Sequence, residues 1–174
     1  KIANRFKSEL NMTPVGAVEL EFYLMDRKAA LEGKPTAPKA LINEYRHQPF
    51  GKPGEWLQAA IALRRTDELV GDIAMKLQGH DPRQAMIGFT VARQHQRHGY
   101  AREIISGLFD YFFGAMKLHR VMADCDPRNH ASWGLMESLG MRREAHHRQN
   151  LWFKGEWADE YIYAILREEW ERKV

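Results

Sequence analysis

The chain has 174 residues, the length of one domain, and its 44% hydrophobic and 28% charged residues exclude whole-chain disorder. A net charge of +3 is too small to indicate a nucleic-acid-binding protein, and no apolar stretch approaches the ~20 residues of a transmembrane helix. A single cysteine, Cys125, excludes an intrachain disulfide and is typical of a cytoplasmic protein. No secretory leader is recognisable, and a start at Lys1 is compatible with residues missing upstream.

The first third of the chain predicts one strand, one helix and two breaks. Apolar and acidic residues alternate over 15–25, which is typical of a half-buried strand. Residues 32–38 hold Gly and Pro and predict a loop, and a short helix is predicted over 39–47. A second break follows at 49–54, where two prolines and two glycines occur.

The middle of the chain predicts three consecutive strands. Apolar runs at 56–63 and 68–77 are separated by a short polar segment, which predicts a hairpin. A turn at 80–82 leads to a third strand at 85–92. These strands are predicted to be antiparallel neighbours, because their connections are too short for crossover helices.

The clearest helix is predicted over 101–116, because its apolar residues recur along one stripe through four turns. A strand is predicted at 119–125, followed by a helix at 129–139 that Asn129 caps and Gly140 ends.

Two final strands are predicted at 151–153 and 161–166, with a turn at 154–155. The helix between strands 85–92 and 119–125 implies one parallel pair in a sheet that is otherwise antiparallel. The predicted class is α+β, with a mixed sheet of six or seven strands flanked by helices.

The most informative segment joins the strand at 85–92 to the long helix. The first amides of a helix lack intrahelical acceptors and carry the positive end of the helix dipole. Gly99 has no Cβ, so a bulky anion can approach the backbone there. No acid interrupts the basic side chains of this segment, which are Arg93, Arg97 and Arg102. The pattern predicts a phosphate site, the alternative being an ordinary solvated basic loop.

Residues 96–101 (Gln-Arg-His-Gly-Tyr-Ala) resemble the pyrophosphate-binding motif Gln/Arg-x-x-Gly-x-Gly/Ala of the GNAT acetyltransferase superfamily. Residues 126–132, with Gly140-Met141 after them, resemble the Asn-x-x-Ser…Gly-Phe segment of its branch containing ribosomal-protein N-terminal amine acetyltransferases. Residues 155–159 and 167–170 are similar to the C-terminal end of that branch. The resemblance covers about 56–170.

The resemblance implies the GNAT fold, with a V-shaped splay between strands 85–92 and 119–125 that holds the pantetheine arm of acetyl-CoA. The pyrophosphate would bind the amides and charges that begin the long helix. The implied acetyl-CoA-binding residues are Phe89, Thr90, Val91, Gln96, Arg97, His98, Gly99, Tyr100, Ala101, Arg102, Asn129 and Ser132. No metal is implied, and no Cys/His cluster offers a site for one.

The implied activity is direct transfer of the acetyl group from acetyl-CoA to a primary amine, either a small molecule or a protein N-terminus. We expect a cytoplasmic protein without a membrane segment. The sequence is compatible with a homodimer. Nucleic acid is not expected as a partner, because aromatic residues do not interleave with the basic loop. A catalytically degenerate CoA-binding regulatory module is the alternative function.

The resemblance also suggests catalytic residues. Many members of the superfamily have a Tyr that acts as general acid four residues after the position of Ser132. In this chain Met136 occupies that position. Ser132 or water is therefore expected to reprotonate the departing thiolate of CoA. Leu151 occupies the position from which this branch can supply a base. We therefore take His147, beside His146, as the candidate base, because an imidazole titrates near neutral pH. The weaker candidates are Asp72 and Glu144.

The first 38 residues do not follow the branch. Residues 13–26 weakly resemble a glutamine synthetase segment with a metal-binding Glu-x-Glu, here Glu19 and Glu21, but the rest of that active site is absent. We expect a strand of the same sheet, with both glutamates facing solvent. The predicted organisation is a single GNAT domain over 1–174 with an atypical N-terminal segment at 1–38.

Overall fold

The computed structural model describes residues 20–24, 52–63, 66 and 68–172. These residues form a mixed sheet in the strand order β1-β2-β3-β4-β5-β7-β6. The strands are β1 (Leu20–Leu24), β2 (Leu57–Leu63), β3 (Leu69–Leu77), β4 (Gln84–Val91), β5 (Arg120–Cys125), β6 (Arg142–Phe153) and β7 (Glu156–Leu166). The helices are α1 (Tyr100–Phe109), α2 (His130–Ser138) and α3 (Arg167–Glu171).

The only parallel pair among the described strands is β4 with β5. Their pairing runs from Gln84 opposite Arg120 to Ile87 opposite Ala123 and then stops. Strand β4 continues to Val91 alongside β3, so β4 and β5 part at a fork. Strand β4 is followed by α1 and strand β5 by α2. Because the two strands are parallel, the N-termini of both helices lie at the same end of the sheet, beside the fork.

The core lies on one face of the sheet. Ile73, Ile87, Val121 and Tyr163 are at most 1% exposed and belong to one buried cluster with side chains from α1 and α2. The helical members of this cluster include Ile105, Phe109 and Met136. The Tyr163 hydroxyl donates a 2.8 Å hydrogen bond to the Glu137 carboxylate, which fastens α2 to β7.

The predicted α+β class and mixed sheet are confirmed, as are the hairpin of β2 and β3 and the parallel pair. The predicted helix at 129–139 and strand at 119–125 are also confirmed as α2 and β5. Of the predicted strand at 15–25 the structure describes β1. The predicted loop at 32–38 and helix at 39–47 lie outside the described residues.

Three predictions of extent are wrong. The regular α-helix expected over 101–116 ends at Phe109, and Asp110–Ala115 continues it as a π-helix. The strands expected at 151–153 and 161–166 are much longer, being β6 and β7. Strand β6 is almost wholly exposed, and its sequence lacks an apolar alternation. Backbone pairing with β7, rather than burial of its side chains, keeps β6 in the sheet.

Candidate active site

The fork exposes one edge of the last residues of β4. Phe89, Thr90 and Val91 lie beyond the last pair with β5 and remain bound to β3 on their other side. Gly71 allows β3 to approach β4 closely at this point, because a Cβ on Gly71 would lie 2.1 Å from the Thr90 carbonyl oxygen. The edge facing the fork can therefore accept a linear polar ligand through backbone groups.

The loop after β4 ends in an open backbone turn. Gly99 adopts a left-handed conformation, with φ of 85°, and caps α1. The Glu103 amide donates to the Gly99 carbonyl at 3.0 Å, so the amides of Tyr100 and its next two neighbours precede the first bond of the helix. Apart from Gly99 itself and its two chain neighbours, no described residue has an atom within 4 Å of the position that a Cβ on Gly99 would take. This turn therefore has room for an anion against the backbone.

Cationic and aromatic side chains surround this turn. Arg97 and Arg102 are exposed, and Arg97 also has a positive φ of 65°. His98 stacks on Tyr100 with ring centroids 5.6 Å apart. The predicted phosphate-binding residues are thus contiguous around one helix N-terminus. The Ala101 side chain is small and half-buried in its first turn.

The first turn of α2 forms the other side of the fork. The Asn129 side chain accepts a 3.2 Å hydrogen bond from the Ser132 amide, so Asn129 serves as the helix cap and holds Ser132 near it. Ser132 is half-buried. Met136 is fully buried in the core, so the position where relatives place a Tyr has no access to a ligand here.

A cavity of about 220 Å³ opens at the same edge, between the end of β5 and the hairpin of β6 and β7. Its lining comprises Asp124, Cys125, Asp126, Leu151, Phe153, Ala158, Asp159 and Glu160. The carboxyl groups of Asp124 and Glu160 are neighbours in this lining, although both are acids.

The electrostatics of Asp124 follow from this contact. Asp124 retains access to solvent, but its carboxyl group loses part of its hydration in the cavity. That loss of hydration, together with the negative charge of Glu160, raises the pKa of Asp124 to about 6, and Lys76 opposes the shift. Asp124 is thus an acid poised to exchange a proton close to neutral pH.

The predicted base candidates occupy different surroundings. His147 is exposed on β6, directly opposite Glu160 of β7. His146 instead bonds Asp159 at 2.7 Å through Nε2. Asp72 accepts a hydrogen bond from Gln58.

Glu144 is bound by Arg120 and Arg142. The Arg120 guanidinium lowers the pKa of Glu144, so this carboxylate is a poor proton acceptor near neutral pH.

Comparison with known proteins supports the same interpretation of the fold. A family model described as an acetyltransferase (GNAT) domain matches residues 19–142, which is more than half of the chain. This chain belongs to the GNAT acetyltransferase family. The family predicted from the pyrophosphate motif is therefore confirmed.

The relatives of this GNAT chain include the uncharacterized N-acetyltransferase YnaD of Bacillus subtilis, 40% identical over 111 residues that cover 63% of this chain and 64% of YnaD. Ribosomal protein uS5-alanine N-acetyltransferase of Escherichia coli is 26% identical over 84 residues, which cover 48% of this chain and 43% of that protein. The crystal structure of an acetyltransferase (GNAT family) from Bacillus anthracis superposes with a TM-score of 0.66 at 28% identity, covering 89% of this chain and 99% of that one. Alignments with three curated relatives span 60–66% of their lengths.

Cys125 lies in the cavity wall but is 8% exposed. Burial and the neighbouring carboxylates raise the pKa of its thiol to about 11. The thiol therefore stays protonated at neutral pH and packs as a small apolar side chain.

Sequence reasoning missed the pairing of Asp124 with Glu160. The available signal was the run Asp124-Cys125-Asp126, which follows the apolar residues Val121, Met122 and Ala123 at the end of a strand. Within the described residues, no three or more His, Cys, Asp or Glu side chains converge to hold a metal ion. No helix in the same part of the chain is long and apolar enough to cross a membrane.

Proposed function

We propose that this chain is an N-acetyltransferase that transfers the acetyl group of acetyl-CoA to a primary amine by direct attack. The observation that carries the proposal is the open, left-handed turn at Gly99, which begins a helix beside the fork between β4 and β5. A phosphate-bearing cosubstrate with a long polar arm fits this combination, since the helix end suits its anion and the free strand edge suits its amides.

In this account the first turn of α1 binds the pyrophosphate. The amides of Tyr100, Ala101 and Arg102 face an anion at the positive end of the helix dipole, and the Arg97 and Arg102 guanidinium groups add charge. Gln96 and His98 are contact residues of the same loop. No acidic side chain stands between Arg93 and Arg102 to oppose binding.

The pantetheine arm is placed along the fork. Phe89, Thr90 and Val91 offer main-chain groups on one side, and Asn129 and Ser132 of α2 lie on the other. Acetyl-CoA supplies an activated carbonyl carbon and a thiolate leaving group. The Ser132 hydroxyl is proposed to return a proton to the sulfur, because it lies at the helix end that flanks the fork.

The acceptor is proposed to be a primary amine, either a small molecule or a protein N-terminus. The named relative from Escherichia coli acts on an alanine of ribosomal protein uS5, which supports the second kind. His147 is the proposed proton acceptor on the solvent side of the site, because it is exposed on β6 beside the cavity. The lone, buried Cys125 and the cosubstrate favour a cytoplasmic location.

The test is an acetylation screen read by thiol release from acetyl-CoA. The panel contains spermidine, phenylethylamine and an alanyl hexapeptide, with Gly99→Glu as the matched variant. Amine-dependent thiol release by the wild type that Gly99→Glu abolishes supports the proposal. Binding of acetyl-CoA without turnover of any acceptor would instead indicate the CoA-binding module, an alternative that the buried Met136 favours.

A further inference from the structure

Asp124 occupies a distinctive place in the sheet. The last residue of β5 that pairs with β4 is Ala123, so Asp124 is the first residue beyond the fork. Alternate residues of a strand face opposite sides of a sheet. Ala123 faces the buried core, so Asp124, which lines the cavity, faces the other side of the sheet.

The strand register brings Glu160 to the same side. Asp124 pairs with Ile162 of β7, and Glu160 is two residues from Ile162, so its side chain projects from the same face as Asp124. Glu160 also accepts a 2.9 Å hydrogen bond from the Asn150 side chain. Asn150 thus holds the Glu160 carboxyl group in place beside Asp124.

The charged and titratable groups near this pair come from three parts of the sheet. Among the described residues, Lys76 of β3 is the nearby cation, Asp126 follows the end of β5, and His147 lies opposite Glu160 on β6. Asp126 is neutralised by Arg128, with oxygen-to-nitrogen distances of 2.6–3.0 Å. Within the part of the chain that the structure describes, Lys76 is the cation that acts on Asp124, and no arginine contributes to its electrostatics, so the pair keeps a negative potential that attracts a cation.

We propose that Asp124 is the catalytic general base of this reaction: its carboxylate takes the proton from the acceptor ammonium at the fork, and Glu160 shares that proton. The inference rests on the proposed function and names the residue that activates the acceptor. His147, opposite Glu160, is then the exposed group through which the proton leaves for solvent.

The step balances as a simple acyl transfer. The ammonium of the acceptor gives one proton to the Asp124 carboxylate and becomes a neutral amine. The amine nitrogen forms a bond to the thioester carbonyl carbon, and the C–S bond breaks. The Ser132 hydroxyl is the proposed donor of a proton to the departing sulfur, and it takes the second nitrogen proton in exchange. The products are the amide, the thiol and one proton, which leaves through Glu160.

The experiment compares Asp124→Asn, Glu160→Gln and the matched control Asp126→Asn. Turnover is measured against pH with whichever of spermidine, phenylethylamine and the alanyl hexapeptide reacts fastest. Acetyl-CoA affinity is measured separately by calorimetry, so that a failure of cosubstrate binding is recognised as a failure of the proposed function. The carboxyl ¹³C resonance of Asp124, assigned by its loss in Asp124→Asn, is titrated without any acceptor.

The expected result for Asp124→Asn is a fall in kcat of about 100-fold or more with unchanged acetyl-CoA affinity. The wild type should lose activity as pH falls through the Asp124 titration, and Glu160→Gln should move that midpoint to lower pH because it removes a negative neighbour. Asp126→Asn should leave the midpoint in place. Nearly wild-type kcat in Asp124→Asn, or an Asp124 resonance that titrates like an ordinary aspartate, overturns the proposal even where no acceptor reacts.

Discussion

The Gln96 side-chain amide donates a 3.1 Å hydrogen bond to the Val91 carbonyl oxygen. Val91 ends β4 at the fork, and Gln96 begins the motif that leads into α1. The bond therefore ties the strand edge proposed for pantetheine to the helix end proposed for pyrophosphate. It gives the motif glutamine a structural role, which is to fix the distance between two parts of one ligand site.

Replacing Gln96 by Leu should weaken acetyl-CoA binding by about two- to tenfold, the usual net worth of one hydrogen bond. The physical reason is that the loop must then be ordered by the ligand itself. Calorimetric titration measures the change, and Gln94→Leu on the same exposed loop is the control. Equal affinities of Gln96→Leu and the wild type would show that this bond does not organise the site.

Gly71→Ala should reduce stability by about 1–3 kcal/mol, because its Cβ would meet the Thr90 carbonyl oxygen at 2.1 Å and push β3 away from β4. Acetyl-CoA affinity should fall with it, since Thr90 lies on the fork. Gly107→Ala is the matched control: it has open space around its Cβ and lies inside α1, so it should stabilise by about 0.5–1 kcal/mol. Urea denaturation distinguishes the two, and equal stability of Gly71→Ala and the wild type contradicts the clash.

Asn129 has two proposed roles that substitutions can separate. Asn129→Ala should destabilise the protein by about 0.5–2 kcal/mol through loss of the α2 cap. Asn129→Asp keeps a capping oxygen and should restore stability, but it lacks the amide donor and should not restore acetyl-CoA affinity. Thermal denaturation and calorimetry are measured on both variants. Full recovery of affinity in Asn129→Asp would leave Asn129 as a cap alone.

Much of the fold was predictable because its signals are local. The apolar stripe of α1, the turn between β3 and β4, and the cap at Asn129 all depend on residues close in sequence. The turn at Gly99 was also predictable, since a glycine between a strand and a helix allows a left-handed turn that other residues rarely adopt. These features also include most of the residues proposed to bind acetyl-CoA.

The contact between Asp124 and Glu160 was not predictable in the same way. It depends on the register of β7 against β5, which places Ile162 opposite Asp124. A shift of one residue would turn Glu160 to the other face of the sheet. The exposed strand β6, which presents Asn150 and His147 to Glu160, likewise carries no apolar alternation that would reveal it.

The pH dependence of stability offers a separate prediction. Because the pKa of Asp124 is raised from 3.8 to about 6, the folded state binds this proton more tightly than the unfolded state. The free energy of unfolding should therefore fall as pH rises through this range and stay lower above it. Asp124→Asn removes the effect and should melt above the wild type near neutral pH, with a smaller difference at about pH 4.

Asp126→Asn is the control for this melting series. Arg128 lowers the pKa of Asp126, so its charge stabilises the folded state above the ordinary pKa, and its removal should lower the melting temperature near neutral pH. Opposite signs for the two variants support the account. A difference between Asp124→Asn and the wild type that does not change with pH contradicts it.

The most direct test of the central claim is calorimetric titration of acetyl-CoA into the wild type, Gly99→Ala and Gly99→Glu. The turn at Gly99 has open space but a φ of 85°, so alanine should strain the backbone and weaken binding, whereas glutamate adds a negative charge where the pyrophosphate would lie. We predict saturable binding by the wild type, weaker binding by Gly99→Ala and none by Gly99→Glu. Absence of binding by the wild type, or equal binding by the wild type and Gly99→Glu, would contradict the assignment of acetyl-CoA to this site.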